Sequence, residues 1–518
     1  MSRTALSDAP PPQGPQNSAG ADPAKPSLSH GLKQRHLSMI ALGGVIGAGL
    51  FVGSGAGIAA AGPSIVIAYA ASGALVMLVM RMLGEMSAAH PASGSFSVHA
   101  QRALGPWAGF TSGWIYWTLL CVAIATEATA AADIMTGWLP GTESWMWVAL
   151  FMALFCGTNL VAVRNFGEAE FWFAALKIFA ITAFLLLGVF TVIGVVPGVE
   201  APGASNLTGE GGFFPNGANG LVVGLLASVF AYGGLETVTI AAAESENPVR
   251  GVAKAVRTAV WRIAIFYVGS MLVIVTLIPW DDKSVLAGPY AAVLDYVGIP
   301  AAAQLMNIVV LVALLSAMNA NIYGASRMSF SLIDRGEGPA FLGKVSRGGV
   351  PRRAVIASSV IGFVAVLFNY WWPDTVFLWL LNMVGAATLV VWGFIAVSQL
   401  ITRRRLEREA PEKLVVKMWG FPWLTCVAIV GIVAVLGLML REGDTRTQLA
   451  FTAGLTVVLA VVGLLRQKLR ARSAEGAAPA GEAAVPATGV ALAKEDAPAE
   501  DGGSGAGDSD NSAGGSGN

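Results

Sequence analysis

Between two polar ends, the chain is a succession of long apolar runs separated by short polar turns. A helix needs about 20 predominantly apolar residues to cross a bilayer. The runs predict spans at 38–61, 64–88, 106–135, 145–163, 169–196, 219–242, 258–279, 301–328, 354–370, 375–399, 421–440 and 447–465. The expected fold class is thus an all-α polytopic membrane protein with twelve transmembrane helices. Residues 1–31 are rich in Pro, Ser, Ala and Gly and hold no apolar run, which predicts a disordered tail without a cleavable signal. Residues 471–518 are a low-complexity Ala/Gly/Ser/Asp/Glu stretch and predict a second tail. Residues 32–470 remain as one transmembrane domain, since no long polar segment divides them.

Composition narrows the class. Of 518 residues, 55% are hydrophobic and 12% charged, whereas soluble domains carry about 25% charged residues. A soluble enzyme of this length needs several polar-skinned domains, and the charge to clothe them is missing. The 32 Lys and Arg balance the 32 Asp and Glu, so the total gives no footprint for nucleic acid. Their placement says more. With the N-terminus inside, only Lys283, Arg441 and Arg446 fall in outer turns and Lys177 lies deep within a span, leaving 28 of the 32 basic residues in inner turns, in the tails or at the inner ends of spans. Basic residues favour the cytoplasmic side, so both termini are expected in the cytoplasm and the protein in the plasma membrane.

No GxxxxGK[ST] loop is present, so ATP is not expected as a partner. No CxxC, HExxH or GxSxG occurs, Cys121, Cys156 and Cys426 are scattered, and the four histidines form no ligand cluster. No catalytic residue, metal or cofactor is expected, and a membrane enzyme has no constellation to support it. The expected partners are a small-molecule substrate, protons and the lipid bilayer.

Two spans are interrupted by glycine. The first reads IALGGVIGAGLF over 40–51 and the sixth VFAYGGLE over 229–236. Glycine eases departure from helical geometry and lets a ligand approach the backbone. Unwound backbone at membrane depth is tolerated where it lines a cavity, and there freed N–H groups meet an anion and freed carbonyls a cation. A pair of interrupted helices five spans apart points to a binding site between inverted repeats. The competing reading is that the glycines serve close helix packing.

Lys177 lies deep in the apolar run FWFAALKIFA and Glu127 mid-span in CVAIATEATA. Intramembrane ionisable groups are costly and mark pathways or relays. For Lys177 the alternative is snorkelling to the inner interface; for Glu127 it is a hydrogen bond to a neighbouring helix. Glu236 follows the second glycine pair, where it either steadies the unwound segment or gates the path. Glu168 and Glu170, near Arg164, read as a solvated or salt-bridged inner edge. In span 8, Ser316 and Asn319 form a polar face, read either as facing Lys177 or as interhelical glue.

Four stretches carry a resemblance: GLKQRHLSMIALGGVIGAGLF at 31–51, RNFGEAEFWFAALKI at 164–178, FAYGGLETVTIAAAESENP at 230–248 and NANIYGASRMSFSLIDRGEGP at 319–339. By these the chain resembles the amino-acid permeases of the amino acid–polyamine–organocation superfamily, over about 32–465. The resemblance implies a LeuT-like fold, with spans 1–5 and 6–10 as inverted repeats, two helices added, and helices 1 and 6 broken. It implies proton-coupled import by alternating access. The substrate carboxylate is then expected at the amides of Gly47, Ala48 and Gly49. The amino group is expected at the carbonyls of Val45 or Ile46, Phe230, Ala231 and Gly233, with Tyr232 and Leu235 as wall neighbours. Lys177 matches a fifth-span lysine that replaces a sodium ion in proton-coupled relatives. The stretches TEATAA, GGLETVTIAAAESENP and LIPW look most like γ-aminobutyrate permeases, which makes γ-aminobutyrate or a small neutral amino acid the expected substrate. An exchanger on the same fold, or a non-transporting receptor or channel, are the competing readings.

Overall fold

The computed structural model describes residues 46–90, 95–161, 166–209, 211–236, 258, 261–299, 301–346, 350–441 and 443–476. The chain divides into a compact unit over Met1–Lys468 and a second unit over Leu469–Asn518, of which 469–476 are described and helical. The described residues contain helices and no β-strand.

In chain order the main helices are α1 (Ala48–Phe51), α2 (Gly53–Ala61), α3 (Ile65–Ala89), α4 (Ser95–Leu104), α5 (Pro106–Trp138), α6 (Ser144–Val161), α7 (Phe166–Val192) and α8 (Gly217–Tyr232). There follow a π-helical turn (Ile263–Val268), α9 (Gly269–Leu277), α10 (Pro289–Val297), α11 (Ala302–Asp334), α12 (Arg352–Trp371), α13 (Pro373–Glu409), α14 (Trp423–Met439) and α15 (Gly443–Gly476). Every interval expected to span holds helix. Seven helical stretches are long and apolar enough to cross a membrane by length and composition, among them α3 joined to α1 and α2 as Ala48–Ala89. Four shorter apolar helices accompany them: Ser144–Leu160, Gly217–Tyr232, Ile263–Leu277 and Trp423–Met439.

Element boundaries follow local chemistry. Proline opens α5, α10 and α13, where its missing N–H costs nothing. α5 is preceded by Gly105 at φ +102°, a backbone that a side chain would strain.

α5 and α11, each 33 residues long, pack against each other at the centre. α13 lies against α5, α12 against α6, and α8 against both α2 and α3. The α2–α8 contact is made by small residues: a methyl on Gly224 would stand 2.7 Å from the Ala61 Cβ, and one on Gly57 would stand 3.3 Å from the Ala227 Cβ. Lipid gives helices no hydrophobic reason to associate, so close backbone approach must supply the attraction. The outward faces are apolar: Phe179 is 72% exposed, Trp172 64% and Trp423 78%. In water such faces would be an aggregation hazard; in a bilayer they are the solvated side.

At the C-terminal end of α3, buried Glu85 accepts hydrogen bonds from Gln399 Nε2 (2.7 Å), from the Arg403 guanidinium and from the Met418 backbone N–H. Thr425 in turn donates to Gln399 Oε1 at 3.0 Å. This cluster ties α3, α13 and α14 together, and no motif in the sequence announces it.

Candidate functional site

The first interrupted segment is visible from Ile46 onward. Gly47 is the N-cap of α1, and its carbonyl accepts from the N–H groups of Leu50 and Phe51. The Ala48 N–H points out of the helix start and donates to both oxygens of the Glu127 carboxylate, at 3.2 and 3.0 Å. Glu127 comes from the middle of α5 and is buried. A Cβ on Gly47 would stand 2.9 Å from the Glu127 carboxyl carbon, so glycine is what lets the carboxylate reach this backbone. Val45 lies outside the described residues.

The second interrupted segment closes the other side. α8 stops at Tyr232, Gly233 takes an extended ψ of 139°, and Gly234 sits at φ +89°, in the region that favours glycine. The Gly234 N–H donates to Glu236 Oε1 at 3.3 Å, so Glu236 folds back on the break that precedes it. Its carboxylate is fully buried, flanked by Trp392 of α13 and Tyr116 of α5. The continuation past Glu236 lies outside the described residues. The two segments touch: a Cβ on Gly49 would lie 2.6 Å from the Ala231 Cα and 2.9 Å from the Phe230 ring. Glycine therefore serves close packing at Gly49 and access to the backbone at Gly47. The close-packing reading of the glycine cluster applies at Gly49; at Gly47 the group that reaches the backbone is the carboxylate of Glu127.

The remaining expected residues are dispersed around this contact. Ile46, Ala48, Ala231 and Leu235 are buried. Tyr232 is buried in an aromatic group with Tyr69 and Tyr267, and its hydroxyl donates to the Tyr69 carbonyl at 2.9 Å. Gly233 faces Thr388 of α13: a Cβ there would stand 3.1 Å from the threonine hydroxyl. Thr388 was not among the residues expected from the sequence.

Lys177 is 0% exposed, while Phe179 and Trp172 on the same helix face outward. The charge has thus been turned inward against the helix's apolar surroundings. Two carboxylates, Glu170 and Glu127, oppose it electrostatically. Of the two readings for Glu170, a solvated or a salt-bridged inner edge, the fold excludes the solvated one and sets the carboxylate opposite Lys177. Glu170 is fully buried and accepts from the Ser316 hydroxyl at 3.0 and 2.8 Å. Its physical signal was present: Glu170 precedes Lys177 by two helical turns, which places both on one face. Ser316 therefore joins the Lys177 neighbourhood through Glu170. Asn319 instead accepts from Asn159 Nδ2 of α6 at 2.7 Å and acts as an interhelical tie.

Interrupted helix ends, inward-turned charges and apolar outer faces define a polytopic integral membrane protein. The amino acid permease family profile matches residues 36–474. The chain is 46% identical to the gamma-aminobutyric acid permease of Bacillus subtilis over 452 residues, 87% of this chain and 96% of that protein. It is 45% identical to the aromatic amino acid transport protein AroP of Corynebacterium glutamicum over 442 residues, 84% of this chain and 95% of that one. Against the gamma-aminobutyric acid permease of Escherichia coli the identity is 44% over 431 residues, 83% and 92% of the two chains. The chain belongs to the amino acid permease family.

Proposed function

We propose that the protein is a secondary active, proton-coupled permease that imports a small zwitterion across the plasma membrane by alternating access. γ-Aminobutyrate or a neutral amino acid is the proposed substrate, twelve crossings in a LeuT-like 5+5+2 arrangement the proposed topology, and the cytoplasm the proposed side of both termini. The observation that carries the reading is the Glu127 carboxylate on the Ala48 amide, in electrostatic contact with buried Lys177. An amide that holds a protein carboxylate has the chemistry to hold a substrate carboxylate, and a buried acid–base pair beside it has the chemistry to move a proton.

The test is uptake by the full chain in liposomes loaded with buffer only, under an imposed inward proton gradient, with labelled γ-aminobutyrate, neutral and aromatic amino acids. Saturable uptake that a protonophore collapses is expected. Uptake that appears only when the lumen is preloaded with substrate identifies an exchanger, and unsaturable flux identifies a channel.

A further inference from the structure

The π-helical turn Ile263–Val268 precedes α9 and carries Tyr267. π-Turns within helices cluster at functional sites. This one turns the Tyr267 ring inward, 4.8 Å from the Tyr232 ring and wholly buried. The hydroxyls of Tyr267, Tyr69, Tyr290 and Ser270 are all buried and have no hydrogen-bond partner among the described residues. They belong to one neighbourhood. Tyr69 lies within electrostatic reach of both Tyr267 and Tyr290, and the Ser270 and Tyr290 hydroxyls lie within interaction range of one another, although neither completes a hydrogen bond of good geometry. The Tyr290 ring packs on Phe51, the last residue of α1, at 4.9 Å and on Phe184 of α7 at 4.7 Å.

Four orphaned hydroxyls in one place are not tolerable in a dry interior, since each costs about 1–3 kcal/mol when left unsatisfied. Buried water resolves this where two to four polar groups converge, as they do here. The cluster also has direction. At one end is Tyr290 on α10, in an outer turn of the proposed topology. At the other is Tyr267, within electrostatic reach of Glu127. The charged and titratable groups around it are Arg262 beside Tyr267, Glu127 from α5, and Tyr232, whose hydroxyl is committed to the Tyr69 carbonyl.

We propose that these four hydroxyls hold a cluster of ordered water that carries protons between the outer side and Glu127. The inference rests on the proton-coupled reading above and assigns its route. A proton enters as hydronium. It passes from oxygen to oxygen, one O–H bond forming as the next breaks, and ends on a Glu127 carboxylate oxygen. Tyrosines and serine keep their proton count throughout.

Two measurements on the reconstituted full chain test this. Pulsed hydroxyl-radical labelling reads the water directly: Tyr69, Tyr267 and Tyr290 are expected to label although buried, with exposed Tyr370 as the positive control. Three unlabelled tyrosines beside a labelled Tyr370 overturn the proposal. In transport, Tyr267→Phe and Ser270→Ala each remove one bridging hydroxyl. Gradient-driven uptake is expected to fall about tenfold while substrate exchange stays within about twofold. Unchanged gradient-driven uptake, or equal losses in uptake and exchange, overturns the relay. A wild-type protein that exchanges substrate but ignores the proton gradient removes the proton-coupled reading, and the relay with it, whatever the labelling shows.

Discussion

The backbone N–H of Ala48 donates to both carboxylate oxygens of Glu127, across 79 residues of sequence. A protein carboxyl group thus already occupies the helix start where the proposed permease would receive a substrate carboxylate. In the proposed cycle one amide cannot serve two carboxylates, so substrate entry there would require Glu127 to leave.

Glu127→Gln keeps a carbonyl oxygen for the Ala48 N–H but carries no charge. Loss of a charge-assisted bond of about 1.5–3 kcal/mol corresponds to roughly a 10- to 100-fold effect. Gradient-driven accumulation is expected to fall by that factor with the fold retained, as read by uptake in liposomes and thermal unfolding in detergent. Undiminished accumulation would show that Glu127 only ties α5 to α1.

Lys177→Ala leaves the buried carboxylates of Glu170 and Glu127 without their cation. Breaking such a buried arrangement costs about 3–5 kcal/mol. The variant is expected to lose proton-driven uptake and to unfold at lower temperature, and adding Glu170→Gln is expected to restore part of the stability but not the uptake. Gradient-dependent uptake equal to wild type would remove Lys177 from the mechanism.

Gly49→Val adds a Cβ, which would stand 2.6 Å from the Ala231 Cα, and two methyl groups beyond it. Overpacking of this kind costs about 1–3 kcal/mol, and it forces the two interrupted segments apart. Substrate affinity is expected to fall more than protein yield, measured as KM against expression level.

Glu85→Ala removes the acceptor for Gln399, Arg403 and the Met418 N–H at once. Arg403 keeps Glu407 as a partner at 2.8 Å, so the expected loss is that of unsatisfied buried donors, about 1–3 kcal/mol each, seen as a lower Tm. Glu85→Gln, which keeps an acceptor oxygen, is expected to lose less. Equal Tm for the alanine variant and wild type would mean that the cluster contributes nothing to the fold.

His99, on the amphipathic α4 between two expected spans, is buried with Nε2 3.4 Å from the Ser87 hydroxyl. Burial pushes its pKa from 6.5 down to about 3, with Arg102 and His90 adding repulsion. The folded state therefore holds this imidazole neutral while the unfolded chain protonates near 6.5. Its stabilising contribution is full above pH 6.5 and is lost progressively as the pH falls toward 3. His99→Gln is expected to unfold with a shallower dependence on pH over that window, and a parallel dependence would show that His99 is solvated.

Hydropathy alone located the apolar runs, each of which holds helix, because a bilayer demands about 20 apolar residues in sequence and the demand is local; α4 and α10 lie in turns between those runs. It also singled out Lys177, Glu127 and Glu236, since each breaks an apolar run. It did not fix which helix each charge meets. Glu170 looked like an inner edge because acidic residues beside an arginine usually are; only the packing of α7 on α11 showed its oxygens against Ser316. For Asn319 the sequence left two readings open, a neighbour of Lys177 or a tie between helices, and the bond to Asn159 selects the second. Glu85 meets Arg403 across 318 residues, and the Tyr267 hydroxyl cluster assembles from α3, the π-turn, α9 and α10. Such contacts depend on helix rotation and crossing, which side-chain packing between distant segments decides. Lipid reads the outward face of each helix and leaves that signature in the sequence. The inward faces are read only by other helices, so only the tertiary structure reveals their partners.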